Sequence, residues 1–342
     1  MIWHPLAWAF WSTVAVGALM YAVAAFGALD VLLEWAPERM DRAQLRRERH
    51  AASMALLLRW STACLLVAAI LGIVGIAVVW HPLVPGAMCG TGVLQAMGAT
   101  GSRAMIFWAV TLIILYAWHV LEKLNRSHPQ APLTQSATRV MITAAPFLSL
   151  AIFYSWQALM HGDTAPPVSC CAAVYDQVLR RSFESTANRQ MASLSLWGSL
   201  TGTVVLLLLA GLKIRSPGRG PSAIIPVAAA TWLPMSSFAV NKVWSAYYFQ
   251  VLSHPCPWCL FLPDYGGAGF FIFGSMALVF MESMAIGLSE FTRRRVPLLA
   301  EASDKRIRRA AWTIVGALVG FILLTAGQAI LWRLRTGIWF MG

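Results

Sequence analysis

Long apolar runs alternate with short polar stretches along the whole chain. Eight runs stand out: Trp8–Leu33, Ala55–Val79, Ala104–Leu121, Met141–Leu159, Leu194–Leu212, Ala223–Val243, Ala268–Leu288 and Ala310–Leu331. Each is near the roughly 20 residues with which a helix crosses the hydrocarbon core. The runs are continuous rather than alternating, which excludes barrel strands. Within a bilayer every backbone amide must be satisfied inside its own segment. The pattern therefore predicts an all-α, polytopic membrane protein with eight transmembrane helices. It reads as one integral membrane domain with outer loops at 80–103, 160–193 and 244–267.

Composition supports this reading. Of 342 residues, 58% are apolar and 12% charged, about half the charged share of a soluble domain. A net charge of +12 first points to nucleic acid, but the position of the charges answers otherwise. Most basic residues fall on alternate connections: Arg39 to Arg59, Lys123 to Arg139, Lys213 to Arg219 and Arg293 to Arg309. The positive-inside rule puts these in the cytoplasm and both termini outside it, in a bacterial-type plasma membrane. Anionic lipid accounts for the basic patches, and no nucleic-acid partner is expected. The start, Met1-Ile2-Trp3-His4-Pro5, has no basic n-region, so no cleaved signal peptide is expected. Trp3, Trp8, Trp11, Trp80, Trp244, Trp332 and Trp339 fall near helix ends, as an aromatic belt requires. The Gly-rich pieces around Gly86–Gly101 and Gly266-Gly267 lack the Lys-Ser/Thr of a phosphate loop.

Candidate chemistry resides in the six cysteines. Cys64 lies inside the second apolar run, as a small buried hydrophobe would. Cys89, Cys170, Cys171, Cys256 and Cys259 all fall in the outer loops, on the oxidising side where disulfides persist. Adjacent Cys170 and Cys171 pair more readily with a distant cysteine than with each other. Cys89–Cys170 or Cys89–Cys171 are candidate bridges, with Cys256–Cys259 as a separate pair and one thiol left over to exchange. Three readings stay open: bridges that brace loops, redox exchange, and binding of a thiophilic metal helped by His4, His81, His161 or His254. His119 has no evident intramembrane histidine partner, so haem is not expected.

The densest motif is Phe249-Gln250-Val251-Leu252-Ser253-His254-Pro255-Cys256-Pro257-Trp258-Cys259-Leu260-Phe261. In a CxxC the first sulfur is usually exposed, with a lowered pKa. Pro257 restricts the turn, and Trp258 shields the pair or offers a docking face. No histidine follows Cys259, which excludes covalent haem attachment. This stretch resembles the first periplasmic loop of the DsbB disulfide-forming membrane proteins, relatives of the vitamin K epoxide reductases. The resemblance implies four-helix bundles that pass electrons from an extracytoplasmic thiol protein to a quinone. It makes Cys256 and Cys259 the quinone-proximal pair. The family carries an arginine shortly after its CxxC, where this chain has Leu260-Phe261-Leu262-Pro263. Lys242 either replaces that base at a quinone oxygen, pairs with Glu282, or snorkels to the interface. Lys242 and Trp258 are thus the candidate cofactor contacts. His81-Pro82 and His254-Pro255 both precede a loop cysteine, a parallel that coincidence explains more readily than internal duplication.

The expected function is a membrane thiol–disulfide oxidoreductase with Cys256, Cys259, Cys170, Cys171 and Cys89 as its working residues. The rivals are a non-catalytic membrane subunit with structural disulfides, whose partner is a larger membrane complex, and a transporter of a thiophilic metal.

Overall fold

His4 opens the first helix. Its Nδ1 accepts the backbone N–H of Leu6 at 3.1 Å, and Pro5 occupies the first helical position, where its missing N–H costs nothing. The computed structural model describes residues 1–35, 41–162, 167–168, 186–218, 223–250 and 256–339. Helix α1 spans Pro5–Glu34, α2 Arg42–Val74, α3 Gly90–Asn125 and α4 Thr134–His161. Then follow α5 (Thr186–Arg215), α6 (Ile224–Ala239), α7 (Ala268–Arg295) and α8 (Ala300–Thr336). Among the described residues these eight are long and apolar enough to cross a membrane. The protein is thus a multi-pass α-helical membrane protein.

Several helices outrun the apolar runs that predict them. The α2 span covers 38 residues, Arg42–Val79, about 57 Å at 1.5 Å per residue, against a hydrocarbon core of about 30 Å. Asp41 caps its start by accepting the Gln44 N–H at 2.7 Å. Its first turns hold Arg42, Arg46, Arg47 and Arg49, residues of good helix propensity but no apolarity. Hydropathy ends at the headgroups; the hydrogen-bond ladder does not. Likewise α3 begins at Gly90 and bends at Gly98 (φ 61°), a conformation that glycine adopts without strain.

Two helices loosen into π turns near one end: α2 at Gly75–Val79, and α6 at Val240–Trp244 before a last turn, Ser245–Phe249. Pro146 sits inside α4 and Pro234 inside α6, each removing one ladder bond.

The chain divides into two compact units. The first contains α1, α2, most of α3, and α4. There α1 and α2 approach closely enough that a Cβ on Gly17 would lie 3.1 Å from Leu65, and the Ser61 hydroxyl donates to the Gly17 carbonyl at 2.7 Å. Tyr21 donates to the Met141 carbonyl at 2.6 Å, joining α1 to α4. Trp108 Nε1 donates to Ser155 at 3.0 Å, joining α3 to α4.

The second unit contains α5, α6 and most of α7 and α8, together with 77–93. Trp232 is buried between α5 and α6, donating to Thr203 Oγ1 at 2.9 Å, with its ring against Gly202, where a Cβ would meet it at 2.8 Å. Ser199 and Ser236 pair at 2.9 Å in the same interface. Ile272, Met276 and Ile286 of α7 and Ile307, Ile314 and Leu318 of α8 belong to the same buried core. Two ion pairs cross the helices: Lys213–Glu290 at 2.9 Å and Arg306–Glu282 at 2.7 Å.

At most 39% of each apolar window is buried in the protein, and large side chains such as Phe26, Leu208 and Leu323 face outward. Lipid, not water, suits that surface.

Lys213 and Glu290 are 5% and 0% exposed. Removing one charge of such a buried pair costs about 3–5 kcal/mol. Glu290→Gln is therefore expected to lower the thermal unfolding midpoint in detergent, and Lys213→Met with Glu290→Met together to recover most of it. An unchanged midpoint in the single variant contradicts the pairing.

Candidate functional site

The site forms where helices stop. After the π turn of α2 comes a short turn, His81–Leu83, and then Gly86 at φ 77°. A Cβ on Gly86 would lie 2.5 Å from the Val168 carbonyl oxygen, because 167–168 crosses here and Val168 N–H donates to the Pro85 carbonyl at 2.9 Å. Gly92 is required for a similar reason: its Cβ would meet Ala87 at 2.5 Å. Between these glycines Cys89 directly precedes α3 and is fully buried.

The CxxC approaches from the other connection. Gln250 ends α6 in a left-handed conformation (φ 56°). Cys256 is extended (φ −115°, ψ 104°) and leads a 3-10 turn, Pro257–Phe261, that carries Cys259. Pro257 starts this turn with its preset φ. Leu260 and Phe261 are buried behind it. The Phe261 ring stacks on Phe273 at 5.5 Å and meets Phe270 edge-on at 4.9 Å. Gly269 makes room, since a Cβ there would lie 2.8 Å from that ring.

The two segments bring three sulfurs together. Cys89 Sγ lies 3.4 Å from Cys256 Sγ, and the sulfurs of Cys89, Cys256 and Cys259 are all within 4.8 Å of one another. Thr91 Oγ1 is 3.2 Å from Cys256 Sγ. Their residues are 0%, 7% and 4% exposed, and among the described residues no disulfide links them. The Cys256 thiol is held far below its ordinary range. Hydrogen bonding from Cys259 is the largest cause, followed by that from Cys89, with Thr91 and the Cys259 backbone adding to it; burial works the other way.

Sequence reasoning reached Cys89, Cys256 and Cys259 but set Cys89 apart from the CxxC; the structure packs it against Cys256. Cys170, Cys171 and His254 lie outside the described residues. Cys64 stands in α2, in the first unit. Trp258 is half-buried, its ring 5.5 Å from that of Phe261. Lys242 is exposed, and Glu282 pairs with Arg306. His4 caps α1, and His161 is exposed. Two features were missed. Thr91 follows Cys89 in a Cys-Gly-Thr-Gly stretch, where a hydroxyl in a tight turn was the available signal. The other is a groove of about 450 Å³ lined by Leu233, Pro234, Ser237, Phe238, Asn241, Pro257 and Phe273. Among the described residues the buried Asn241 Oδ1 there has no hydrogen-bond partner, and Pro257 joins the groove to the CxxC.

The chemistry available is that of a buried thiol of lowered pKa, flanked by two thiols and a hydroxyl. It can attack or leave a disulfide, and it can ligate a soft cation. In a chain with Cys64, Cys170 and Cys171 as serine, thiolate ultraviolet absorbance is expected to persist as pH falls through neutrality. Cys259→Ala is expected to raise the midpoint more than Thr91→Val. A native midpoint in the ordinary thiol range contradicts the hydrogen-bonded thiolate. No family model, curated protein or solved structure matches the chain, so the chemistry of the site is read from its own atoms.

Proposed function

We propose that the protein is a thiol–disulfide oxidoreductase of a bacterial plasma membrane, working on the outer face with both termini outside. The observation that carries this reading is the 3.4 Å contact between Cys89 and Cys256. A disulfide is about 2.05 Å long, so about 1.4 Å of closure brings the two sulfurs to the distance at which one can displace a thiolate from the other. The local likeness of 249–261 to the DsbB loop supports the same chemistry. So does Val168, which is pinned to Pro85 two positions before the Cys170-Cys171 pair in the sequence.

The cycle starts from the fully oxidised chain, with an outer bridge between Cys89 and Cys170 or Cys171 and an inner Cys256–Cys259 bridge. An extracytoplasmic dithiol protein reduces the outer bridge and leaves oxidised. The Cys89 thiolate then attacks Cys256: a Cys89–Cys256 bond forms, the Cys256–Cys259 bond breaks, and Cys259 leaves as a thiolate. The outer-loop thiolate attacks Cys89, restoring the outer bridge and releasing Cys256. A low-pKa thiol leaves faster, and the hydrogen bonds on Cys256 serve that step. Two electrons now rest on Cys256 and Cys259. A membrane-soluble quinone accepts them with two protons, giving hydroquinone and the inner disulfide. The groove beside Pro257 suits a flat apolar ring, and Asn241 Oδ1 is an acceptor for a hydroquinone hydroxyl.

Cys259→Ser blocks closure of the CxxC, so Cys256 is expected to be trapped on Cys89. Alkylation followed by peptide mapping of the oxidised chain should show a Cys89–Cys256 disulfide that Cys89→Ser removes. Full alkylation of both cysteines after oxidation overturns the relay.

A further inference from the structure

We infer that the reduced cluster is also a three-coordinate site for a soft, closed-shell cation, held by the thiolates of Cys89, Cys256 and Cys259. Three sulfurs in a plane, each about 2.3 Å from a metal centre, stand about 4.0 Å apart. The observed set is compatible with this value, with one separation of 3.4 Å and none beyond 4.8 Å. Shifts of less than about 1 Å therefore close the ring on a cation.

The donor set decides the class. Among the described residues this group of potential metal ligands contains cysteine alone, with no imidazole and no carboxylate. Thiolate-only ligation selects cuprous-like and zinc-group ions over hard cations. The ligand number narrows it further. Structural zinc almost always takes four ligands, and a site whose residues are 0%, 7% and 4% exposed gives water little access as the fourth. Ions content with three sulfurs, monovalent copper and divalent mercury, fit best. Binding needs no electron transfer: each thiol that becomes a ligand releases its proton to solvent as the metal–sulfur bond forms. Thr91, 3.2 Å from Cys256 Sγ, donates its hydroxyl hydrogen to the sulfur and offsets part of the added negative charge.

The framework is built for ligation as much as for exchange. Cys89 is held between Gly86 and Gly92, neither of which has room for a Cβ, and the CxxC sits in a 3-10 turn backed by stacked phenylalanines. A Cys256–Cys259 disulfide removes two of the three ligands, so cation and disulfide exclude one another. The inference does not rest on the relay, because cation binding and disulfide trapping read different bonds.

The test uses the full chain in detergent, reduced, with Cys64, Cys170 and Cys171 as serine. Cu(I) and Hg(II) are added separately against a chromophoric competitor, and sulfur ligands are counted by X-ray absorption. One cation per chain with three sulfur ligands is expected, and the ion that competes better identifies the charge class. Cys89→Ala, shown to be folded by circular dichroism, should weaken binding by more than about 100-fold, beyond the loss from disturbing a supporting residue. Prior oxidation of the CxxC should abolish it. Two-sulfur coordination, or unchanged affinity in Cys89→Ala, overturns the assignment.

Discussion

A peptide group in hydrocarbon has no water to turn to, and the rest of this molecule follows from that constraint. It explains why the spans are helices and why outward-facing hydroxyls bond back to their own ladders: Ser12 to the Trp8 carbonyl at 2.7 Å, Thr201 to Trp197 at 2.6 Å, Ser275 to Phe271 at 2.6 Å. It explains why the partly buried carboxylate Glu282 meets Arg306. It also fixes where irregular backbone is allowed. Cys89 and the CxxC both sit in connections between helices, where glycine, proline and short 3-10 turns can be accommodated.

The sulfur cluster joins two kinds of chemistry that are often treated as alternatives. A low-pKa thiolate supported by two thiols and a hydroxyl is a good leaving group in exchange and a good ligand for a soft ion. The first requires one pair to be oxidised, the second requires all three sulfurs reduced. One set of atoms therefore supports both readings, selected by redox state. Burial restricts both to agents that can reach a closed site.

The sequence made the eight spans legible because apolar runs of this length have one physical solution in lipid. It did not show where helices end. The arginines of α2 and the Ala300–Arg309 segment of α8 continue the hydrogen-bond ladder beyond the apolar run, and hydropathy is blind to the ladder. The CxxC was legible as a local motif. The place of Cys89 was not, because it depends on packing across 167 positions, and nothing local in Met88-Cys89-Gly90 encodes that partner. Lys242, a charge near a span, has an exposed side chain, which agrees with the snorkelling alternative.

The π turns at Gly75–Val79 and Val240–Trp244 have a consequence for how the cluster is aimed. A π turn accommodates one residue more than an α turn, so everything beyond it is rotated by about 100° relative to an uninterrupted helix. Each precedes one of the cysteine-bearing connections. The direction in which each span hands over to its connection is thus set inside the helix, before the connection begins. Deleting a single residue from either π turn would turn the end of that span by about 100°, with every cysteine and every connecting residue still in place.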